Sequence, residues 1–106
     1  MHDCIFCNIV VGALPSTPLY QDEDVMVIQD IHPQAPVHLL VLSKKHVSEF
    51  LEAEDALIDK IMRVVRKVIQ EEKITNYRIV NNGKGVAFID HVHVHILGNV
   101  DKMRAL

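Results

Sequence analysis

The clearest pattern in the chain is a set of apolar residues that recur every three or four positions between residues 54 and 72. This spacing places them along one side of an α-helix and leaves most charged residues on the other side. The apolar positions are Leu57, Ile58, Ile61, Val64, Val65, Val68 and Ile69. The pattern predicts one long amphipathic helix, and the acidic residues near its start suit the helix dipole.

Shorter apolar segments separated by turn-forming residues predict a β-sheet. The predicted strands span residues 19–21, 25–29, 37–42, 77–81 and 86–97. The first two form a hairpin around an acidic turn. The third is apolar nearly throughout, so we expect both of its faces to be covered. Strands interrupted by one helix indicate an α+β domain with a five-stranded, mainly antiparallel sheet.

The two ends of the chain carry weaker patterns. Apolar residues at positions 5, 6, 9 and 10 fit a short N-terminal helical segment, and they fit an extended segment equally well. No linker, repeat or low-complexity stretch divides the sequence, so we expect a single domain over residues 1–106. Residues 98–106 are predicted to form a loosely attached C-terminal tail.

Composition argues against several classes of protein. The chain has 106 residues, of which 49% are hydrophobic and 24% are charged, as in an ordinary globular domain. Its formal net charge of −3 and its few aromatic residues argue against a nucleic-acid partner. No apolar run is long enough to span a membrane, and the first residues do not resemble a secretory signal peptide. We therefore expect a cytoplasmic location and no membrane partner.

Histidine is the exception to this ordinary composition, because seven histidines and two cysteines occur in the short chain. His91, His93 and His95 alternate with valines. Side chains alternate between the two faces of a strand, so these three imidazoles are predicted to share one face. Imidazoles so close together repel one another when charged and need partners when buried, which indicates a functional site. His2 and His32 are interpreted as surface residues.

The alternating segment resembles the motif of the histidine triad (HIT) superfamily, and other segments resemble its histidine triad nucleotide-binding (Hint) branch. Their order and spacing also match that branch. The segments are His91-Val92-His93-Val94-His95-Ile96-Leu97, Cys4-Ile5-Phe6-Cys7, Asp30-Ile31, Pro33-Gln34-Ala35-Pro36-Val37-His38 and Ser43-Lys44-Lys45-His46. The resemblance implies a HIT-like fold and a homodimer that hydrolyses purine nucleoside 5′-phosphoramidates.

The resemblance implies catalytic roles for three histidines. His93, the middle residue of the triad, is expected to attack the α-phosphorus and form a nucleotidyl-histidine intermediate that water then cleaves. His95 and His38, the latter from a neighbouring strand, are expected to donate N–H groups to the phosphoryl oxygens. This chemistry needs no metal at the phosphate, so we expect no catalytic metal. A neutral His93 also needs a partner on its other ring nitrogen, which sequence alone does not identify.

A second set of residues carries donor atoms for a metal. Cys4 and Cys7 form a Cys-x-x-Cys pair. In zinc-containing relatives such a pair works with the histidines that correspond to His46 and His91. Two thiolates and two imidazoles suit tetrahedral Zn2+, so the resemblance implies a structural zinc site. Two other interpretations stay open, namely cysteines packed in the core without metal and a redox pair.

The resemblance also implies a pocket for a purine nucleotide. Asp30 is expected to accept hydrogen bonds from the ribose hydroxyls. Either Asn81 or Asn82 is expected to contact the phosphate or the ribose, although each also fits a turn. Six apolar residues correspond to the pocket for the base, and they are Ile5, Phe6, Ile9, Ile28, Ile31 and Leu40. For most of them an ordinary core position is an equally good interpretation or a better one.

The chain departs from the Hint pattern in three places. Residues 86–90 are mainly apolar where relatives carry a polar side chain that assists the departing amine. Phe88 is expected to form a wall of the pocket there, and Asp90 to point away from the triad. Ser43 replaces a proline, which we expect to matter little. Residues 98–100 replace the usual Gly-Gly-Arg, in a region that influences substrate preference in relatives.

Two alternative functions remain open. One is hydrolysis of dinucleoside polyphosphates or nucleotidyl transfer from them, which resembles another branch of the superfamily. The other is a zinc-stabilised nucleotide-binding module with weak catalysis, which the altered residues 86–90 favour. The wide apolar surface of the predicted helix is consistent with a homodimer and also with a monomer.

Overall fold

The structure is a computed structural model that describes residues 3–105, and these residues form one sheet, two α-helices and a short 3-10 helix. The helices are α1 (Ile5–Val10) and α2 (Asp55–Glu71), and the 3-10 helix spans Phe50–Glu52. The strands are β1 (Tyr20–Gln21), β2 (Val25–Gln29), β3 (Val37–Ser43), β4 (Arg78–Val80) and β5 (His93–Gly98). All neighbouring strands are antiparallel, in the order β1-β2-β3-β5-β4. The predicted α+β fold is confirmed.

The long helix α2 forms where the apolar periodicity predicts it. Glu54 is its N-terminal cap residue, and Asp55 places a carboxylate in the first turn, where negative charge suits the helix dipole. Many of its apolar residues are β-branched and have modest helix propensity, so packing supplies most of its stability. Ile61, Val65 and Val68 are at most 3% exposed. Within residues 3–105, no helix is both long and apolar enough to cross a membrane.

Alternation along the strands gives the sheet two different faces. The face covered by α2 carries the main core, formed from the strands by Val25, Val27, Leu39, Val41, Val94 and Ile96. The opposite face carries a smaller apolar cluster with α1, formed by Phe6, Met26, Ile28, Leu40 and Leu42. Residues 38–43 of β3 are all buried, as its continuous apolar sequence predicts. Because this smaller cluster takes its strand residues from β2 and β3, β5 can present imidazoles on the same face.

The predicted fifth strand is wrong in its first half. β5 begins at His93, whereas residues 86–92 lie outside the sheet. The carbonyl of Gly83 accepts the N–H of Val86 at 3.1 Å, which closes a turn. The apolar composition of this stretch indicates a strand, but the N–H groups of Val86 and Ala87 both donate to Gly83, and that of Val92 donates to the carbonyl of Val47 outside the sheet. Strand alternation therefore does not set the direction of Asp90, which lies outside the strand and is exposed.

The N-terminal segment is helical, which decides between the two interpretations of its apolar spacing. Sγ of Cys4 accepts the N–H of Cys7 at 3.5 Å and caps the first turn of α1. A side-chain acceptor at this position satisfies one of the amide groups that the start of a helix leaves unpaired. The Cys-x-x-Cys pair therefore lies at the beginning of α1, with the two sulfur atoms on the same side.

The C-terminal residues are attached more firmly than predicted. The N–H groups of Asn99 and Val100 donate to the carbonyls of Thr75 and Asn76, at 2.9 and 2.8 Å. Val100 is 6% exposed, and its side chain belongs to the buried residues. The expectation of a loosely attached tail over residues 98–106 is therefore wrong for its first three residues.

Candidate functional site

Three imidazoles come together on the sheet face that carries α1. His93 and His95 lie two positions apart on β5 and therefore share a face. His38 on β3 lies beside them, because it pairs with Leu97, the next residue on that face of β5. The ring centroids of His38 and His95 are 5.1 Å apart, and those of His93 and His95 are 5.0 Å apart. The structure thus places the three predicted catalytic side chains in one cluster.

The ring proton of His93 has a defined position. Its Nδ1 lies 2.6 Å from the carbonyl oxygen of His91, and a carbonyl oxygen can only accept a hydrogen bond. Nδ1 therefore carries the hydrogen, and the lone pair of a neutral ring is on Nε2. This carbonyl is the partner that sequence alone does not identify. In the neutral ring it leaves Nε2 of His93 with the lone pair that a nucleophile needs.

His38 and His95 are oriented by hydrogen bonds that start at a backbone amide. The N–H of Gln34 donates to Nδ1 of His38 at 3.0 Å, so a neutral His38 carries its hydrogen on Nε2. That Nε2–H donates to Nδ1 of His95 at 2.8 Å. A neutral His95 consequently carries its hydrogen on Nε2 and can donate it to a ligand. In this arrangement His38 acts on a ligand through His95, whereas the resemblance implies a direct contact with phosphate.

Burial favours the uncharged form of His95 and of His38. It lowers the pKa of His95 to about 4, and the neighbouring rings of His93 and His38 add to the shift. Burial also lowers the pKa of His38, although the carboxylate of Asp30 opposes that shift. Since desolvation penalises the charged form, His95 is a neutral N–H donor near pH 7.

Asp30 completes the same cluster at the end of β2. One carboxylate oxygen accepts the N–H of His32 at 2.8 Å, which stabilises the turn after the strand. The other oxygen lies 3.4 Å from Nε2 of His38, and the side chain of Asp30 is 19% exposed. A hydroxyl group of a ligand can therefore still reach the carboxylate. His32 is exposed, as predicted, and His2 lies outside the described residues.

The two cysteines and two further histidines form a second cluster beside the first, which we call the thiol cluster (Cys4, Cys7, His46 and His91). Nδ1 of His91 lies 3.4 Å from Sγ of Cys4 and 3.6 Å from Sγ of Cys7, and Nδ1 of His46 lies 3.2 Å from Sγ of Cys7. All four donor atoms lie within 4.8 Å of one another. A tetrahedral zinc ion with ordinary bond lengths separates its sulfur and nitrogen ligands by about 3.6 Å. The four residues therefore fit zinc in chemistry and in spacing.

Ser43 orients the ring of His91 toward the thiols. Nε2 of His91 lies 2.6 Å from the carbonyl oxygen of Ser43, so it carries the hydrogen and leaves the lone pair on Nδ1. Both residues are almost completely buried. Burial raises the pKa of the Cys7 thiol, and the neighbouring Cys4 adds to the shift. A bound cation would reverse this effect by stabilising the thiolate.

The residues predicted to surround a purine base divide into two groups. Four belong to the small apolar cluster with α1 or pack against it, and they are Phe6, Ile9, Ile28 and Leu40. Ile5 and Ile31 are 51% and 87% exposed, so they project beyond the buried group. The expectation that Phe88 forms a wall of the pocket is wrong, because its side chain is fully exposed. Ile89 packs against the apolar cluster instead.

The two asparagines lie beside the triad strand. Nδ2 of Asn81 donates to the carbonyl of His93 at 2.9 Å, which links the end of β4 to the start of β5. Asn82 follows and is half-buried. The amide nitrogen of Asn81 therefore holds the backbone of His93 in place. Its amide oxygen is left as an acceptor for a ligand.

Comparison with known proteins places the chain in a family. Residues 11–102 match the HIT domain family. The chain belongs to the HIT family. An uncharacterised HIT-like protein of Methanocaldococcus jannaschii is 38% identical over 99 residues, which cover 89% of this chain and 77% of the relative. The predicted superfamily is confirmed, and membership of the Hint branch stays a prediction.

Solved HIT structures share the fold of this chain. A histidine triad protein from Clostridium difficile has a TM-score of 0.89 at 34% identity, and the match covers 100% of this chain and 98% of that protein. A HIT family hydrolase from Legionella pneumophila has a TM-score of 0.86 at 34% identity, and the match covers 93% and 95% of the two chains.

Besides the carbonyl of His91, two further groups that orient the imidazoles of this HIT protein could not be predicted from the sequence. The N–H of Gln34 sets the tautomer of His38, and the carbonyl of Ser43 sets that of His91. Both are backbone groups, whose positions depend on the fold and leave no signal in the type of side chain. Replacement of the usual proline by Ser43 is compatible with this role, because the proline carbonyl would also accept a hydrogen bond.

Proposed function

We propose that this HIT protein hydrolyses purine nucleoside 5′-phosphoramidates through a covalent nucleotidyl-histidine intermediate on His93. The observation that carries the proposal is the hydrogen-bond geometry of two neighbouring rings, which gives them opposite tautomers when both are neutral. His93 offers an unprotonated Nε2, and His95 offers an N–H. Displacement at phosphorus requires a nucleophile beside a donor that stabilises the developing negative charge.

The reaction proceeds in two displacements. First, Nε2 of His93 bonds to the α-phosphorus, the phosphorus–nitrogen bond to the amine breaks, and the amine leaves with a proton from water. Nε2–H of His95 donates to a phosphoryl oxygen during this step. The carbonyl of His91 stabilises the positive charge that develops on the His93 ring. Water then attacks phosphorus and loses a proton, and the bond between phosphorus and Nε2 of His93 breaks. The nucleotide is released, and the His93 ring is neutral again.

The nucleoside is assigned to the Asp30 side of the triad. The partly exposed carboxylate of Asp30 is suited to accept hydrogen bonds from the ribose hydroxyls. Ile5 and Ile31 extend the apolar surface of the cluster with α1 to solvent, where a purine base can cover them. The support for this placement is the exposure of these two apolar side chains, whose burial by a base would be favourable.

The decisive experiment measures turnover of a fluorogenic adenosine 5′-phosphoramidate beside a dinucleoside tetraphosphate. We expect His93→Ala to reduce phosphoramidate turnover by at least about a thousandfold, because it removes the nucleophile, while AMP binding is largely retained. His32→Ala is the matched control, since it removes an exposed imidazole outside the cluster. Wild-type activity in His93→Ala would contradict the covalent mechanism. Turnover of the tetraphosphate alone, or AMP binding without turnover, would favour the corresponding alternative function.

We further propose that the thiol cluster holds a structural zinc ion. The support is the spacing of its four donor atoms and the orientation of His91 by Ser43. When bound, zinc would supply a cross-link between the start of α1, the segment that follows β3 and the segment that leads into β5. With four protein ligands, no position is left for substrate, so the ion takes no part in the displacement.

Elemental analysis of gently purified protein tests this zinc site. We expect about one zinc per chain in the wild-type protein, slow reaction of its thiols with alkylating reagents, and a lower melting temperature after removal of the metal by a chelator. Cys7→Ser should lose the metal, whereas His32→Ala should retain it. Protein that contains no zinc and has freely reactive thiols would contradict the proposal.

We also propose a homodimer formed through α2 and the edge of β4. Phe50 and Ile79 are 46% and 42% exposed, and they border an apolar cleft of about 180 Å3 that Ile58 and Met62 also line. β4 is the last strand of the sheet, so its outer edge has unpaired backbone groups. A second copy of the chain would cover these apolar side chains and could extend the sheet.

A further inference from the structure

A second cleft lies on the same face of the sheet as the imidazoles, along β4. Its volume is about 440 Å3, and Arg78, Leu97 and Arg104 are among the residues that line it. This volume suits a small molecule or one part of a larger one. The phosphoramidate mechanism described above uses none of these three side chains.

The register of the strands places this cleft next to His95. Val80 on β4 is the antiparallel partner of His95, and Arg78 is the partner of Leu97. Direct partners in an antiparallel pair point to the same face, and diagonal neighbours are about 7–8 Å apart. Arg78 therefore lies one diagonal step from His95, on the side of β5 that faces away from β3.

The two arginines of the cleft donate hydrogen bonds to uncharged carbonyl groups. The guanidinium of Arg78 donates to the carbonyl of Ala105 at 3.1 Å and to the carbonyl of Arg104. The guanidinium of Arg104 donates to the carbonyl of Gln34. Within the described part of the chain, neither arginine forms an ion pair with a carboxylate. Two cations thus share a cleft in a protein whose net charge is −3.

The charge of Arg104 acts on the imidazole cluster. Burial is the main cause of the lowered pKa of His38, and the carboxylate of Asp30 opposes this shift. The positive charge of Arg104 lowers the pKa further. The contact with Gln34 accounts for this effect, because the N–H of the same residue bonds to His38. A group held at Arg104 is therefore close to the imidazoles that act on phosphate.

We propose that this cleft is a subsite for an anionic group, a carboxylate or a phosphate, on the leaving part of the substrate. The inference rests on the proposed phosphoramidate chemistry, which assigns the ribose to Asp30 after β2. Because β5 lies between β3 and β4, such a substrate directs the group beyond its α-phosphorus toward β4. A guanidinium has more N–H donors than these tail contacts use, and its planar fork matches both anions.

The first test compares adenosine 5′-phosphoramidates of β-alanine and of β-alanine amide. The two substrates have the same length. The first ends in a negatively charged carboxylate and the second in a neutral carboxamide. We expect kcat/KM of the wild-type protein to be about tenfold higher for the carboxylate, as a hydrogen bond between charged groups provides. Arg104→Gln and Arg78→Gln should each reduce this preference, because they remove the charge and keep a polar side chain.

Arg66→Gln is the matched control for these variants. Arg66 is exposed on α2, which covers the opposite face of the sheet, so its loss should leave the substrate preference unchanged. Thermal unfolding checks that the cleft variants fold. Equal kcat/KM for the two substrates in the wild-type protein, or a preference that survives in both cleft variants, overturns the subsite for carboxylates.

A binding measurement tests whether the subsite accepts a phosphate group, and it does not depend on turnover. Calorimetric titration of His93→Ala with AMP and ADP places the second phosphate of ADP in the leaving position. If ADP binds more tightly than AMP and Arg104→Gln abolishes the difference, the subsite is supported. If the same result is obtained but neither phosphoramidate is hydrolysed, the proposed function is overturned and the subsite is not. Absence of an arginine-dependent preference in both the carboxylate and the phosphate experiments overturns the subsite itself.

Discussion

An imidazole has two ring nitrogens, and in this protein backbone groups decide which of them is free. The carbonyl of His91 accepts a hydrogen bond from Nδ1–H of His93. The N–H of Gln34 donates to Nδ1 of His38, which places the ring hydrogen of a neutral His38, and then that of His95, on Nε2. Two neighbouring rings of the same chemical type thereby acquire opposite roles. Backbone groups are suited to this task, because the sheet fixes their positions before any ligand binds.

The depressed pKa of His95 predicts how stability depends on pH. The pKa is near 4 in the folded protein, against an ordinary value of 6.5. The unfolded chain therefore binds more protons between these two pH values. The free energy of unfolding should rise with pH through this window and level off above it. His38 contributes with the same sign, because burial lowers its pKa too.

Urea unfolding at a series of pH values measures this slope, and NMR titration of the ring protons reports the pKa of His95 directly. His95→Asn should lose part of the slope, whereas His32→Asn, which removes an exposed ring, should keep it. A midpoint near the ordinary value for His95 in the folded protein would show that its ring is solvated and would contradict the prediction.

At the residue scale, the sequence could predict which histidines and cysteines lie together, and it could not predict which ring nitrogens carry hydrogen. Alternation of His91, His93 and His95 and the spacing of Cys4 and Cys7 are properties of side-chain type along the chain. The tautomers depend on amides and carbonyls that every residue possesses, so only the folded backbone shows which of them lies near a ring.

At the element scale, periodicity predicted the interiors of helices and strands better than their ends. The strand β3 carries a continuous apolar pattern that packed layers on both faces satisfy, and the helix α2 carries an apolar stripe that the sheet covers on one side. Residues 86–92 are as apolar as a strand, yet they form turns beside the sheet. Composition does not record where backbone hydrogen bonds find partners, and that choice decides where β5 begins.

The end of β5 provides a prediction about packing. A Cβ added at Gly98 would lie 2.6 Å from Cγ2 of Ile74 and 2.9 Å from Cβ of Val37, which is closer than real contacts allow. Gly98→Ala should therefore destabilise the protein by about 1–3 kcal/mol, as overpacking of a core does. Gly83→Ala is the matched control, because a Cβ there meets nothing within 4 Å. Urea unfolding measures both, and equal stability of the two variants would contradict the prediction.

At the scale of the whole molecule, the two faces of the sheet have separate tasks. The face against α2 carries the larger core, and the face with α1 carries both histidine clusters and the arginine cleft. The fold class followed from the sequence because it depends on the order and period of elements. The arginine cleft did not, because Arg78 and Arg104 are far apart in the chain and meet only when the C-terminal residues fold back onto β4.

The proposed homodimer is tested by the mass of the protein in solution. Light scattering at micromolar concentration should give about twice the chain mass of 12.0 kDa. Ile79→Asp should shift the protein toward monomer, because it places a charge on the apolar surface beside α2. Val86→Asp is the control, since Val86 is exposed outside that surface. A monomeric wild-type protein would contradict the dimer.

The alternation along β5 also limits how this sequence can change in length. Val94 and Ile96 belong to the core with α2, whereas His93 and His95 belong to the opposite face. One inserted or deleted residue within the strand would exchange the two faces, moving imidazoles into the core and valines into the site. The turn over residues 86–90 has no such constraint, because its backbone bonds are local. Insertions and deletions among relatives of this chain are therefore expected in that turn and not within the strand.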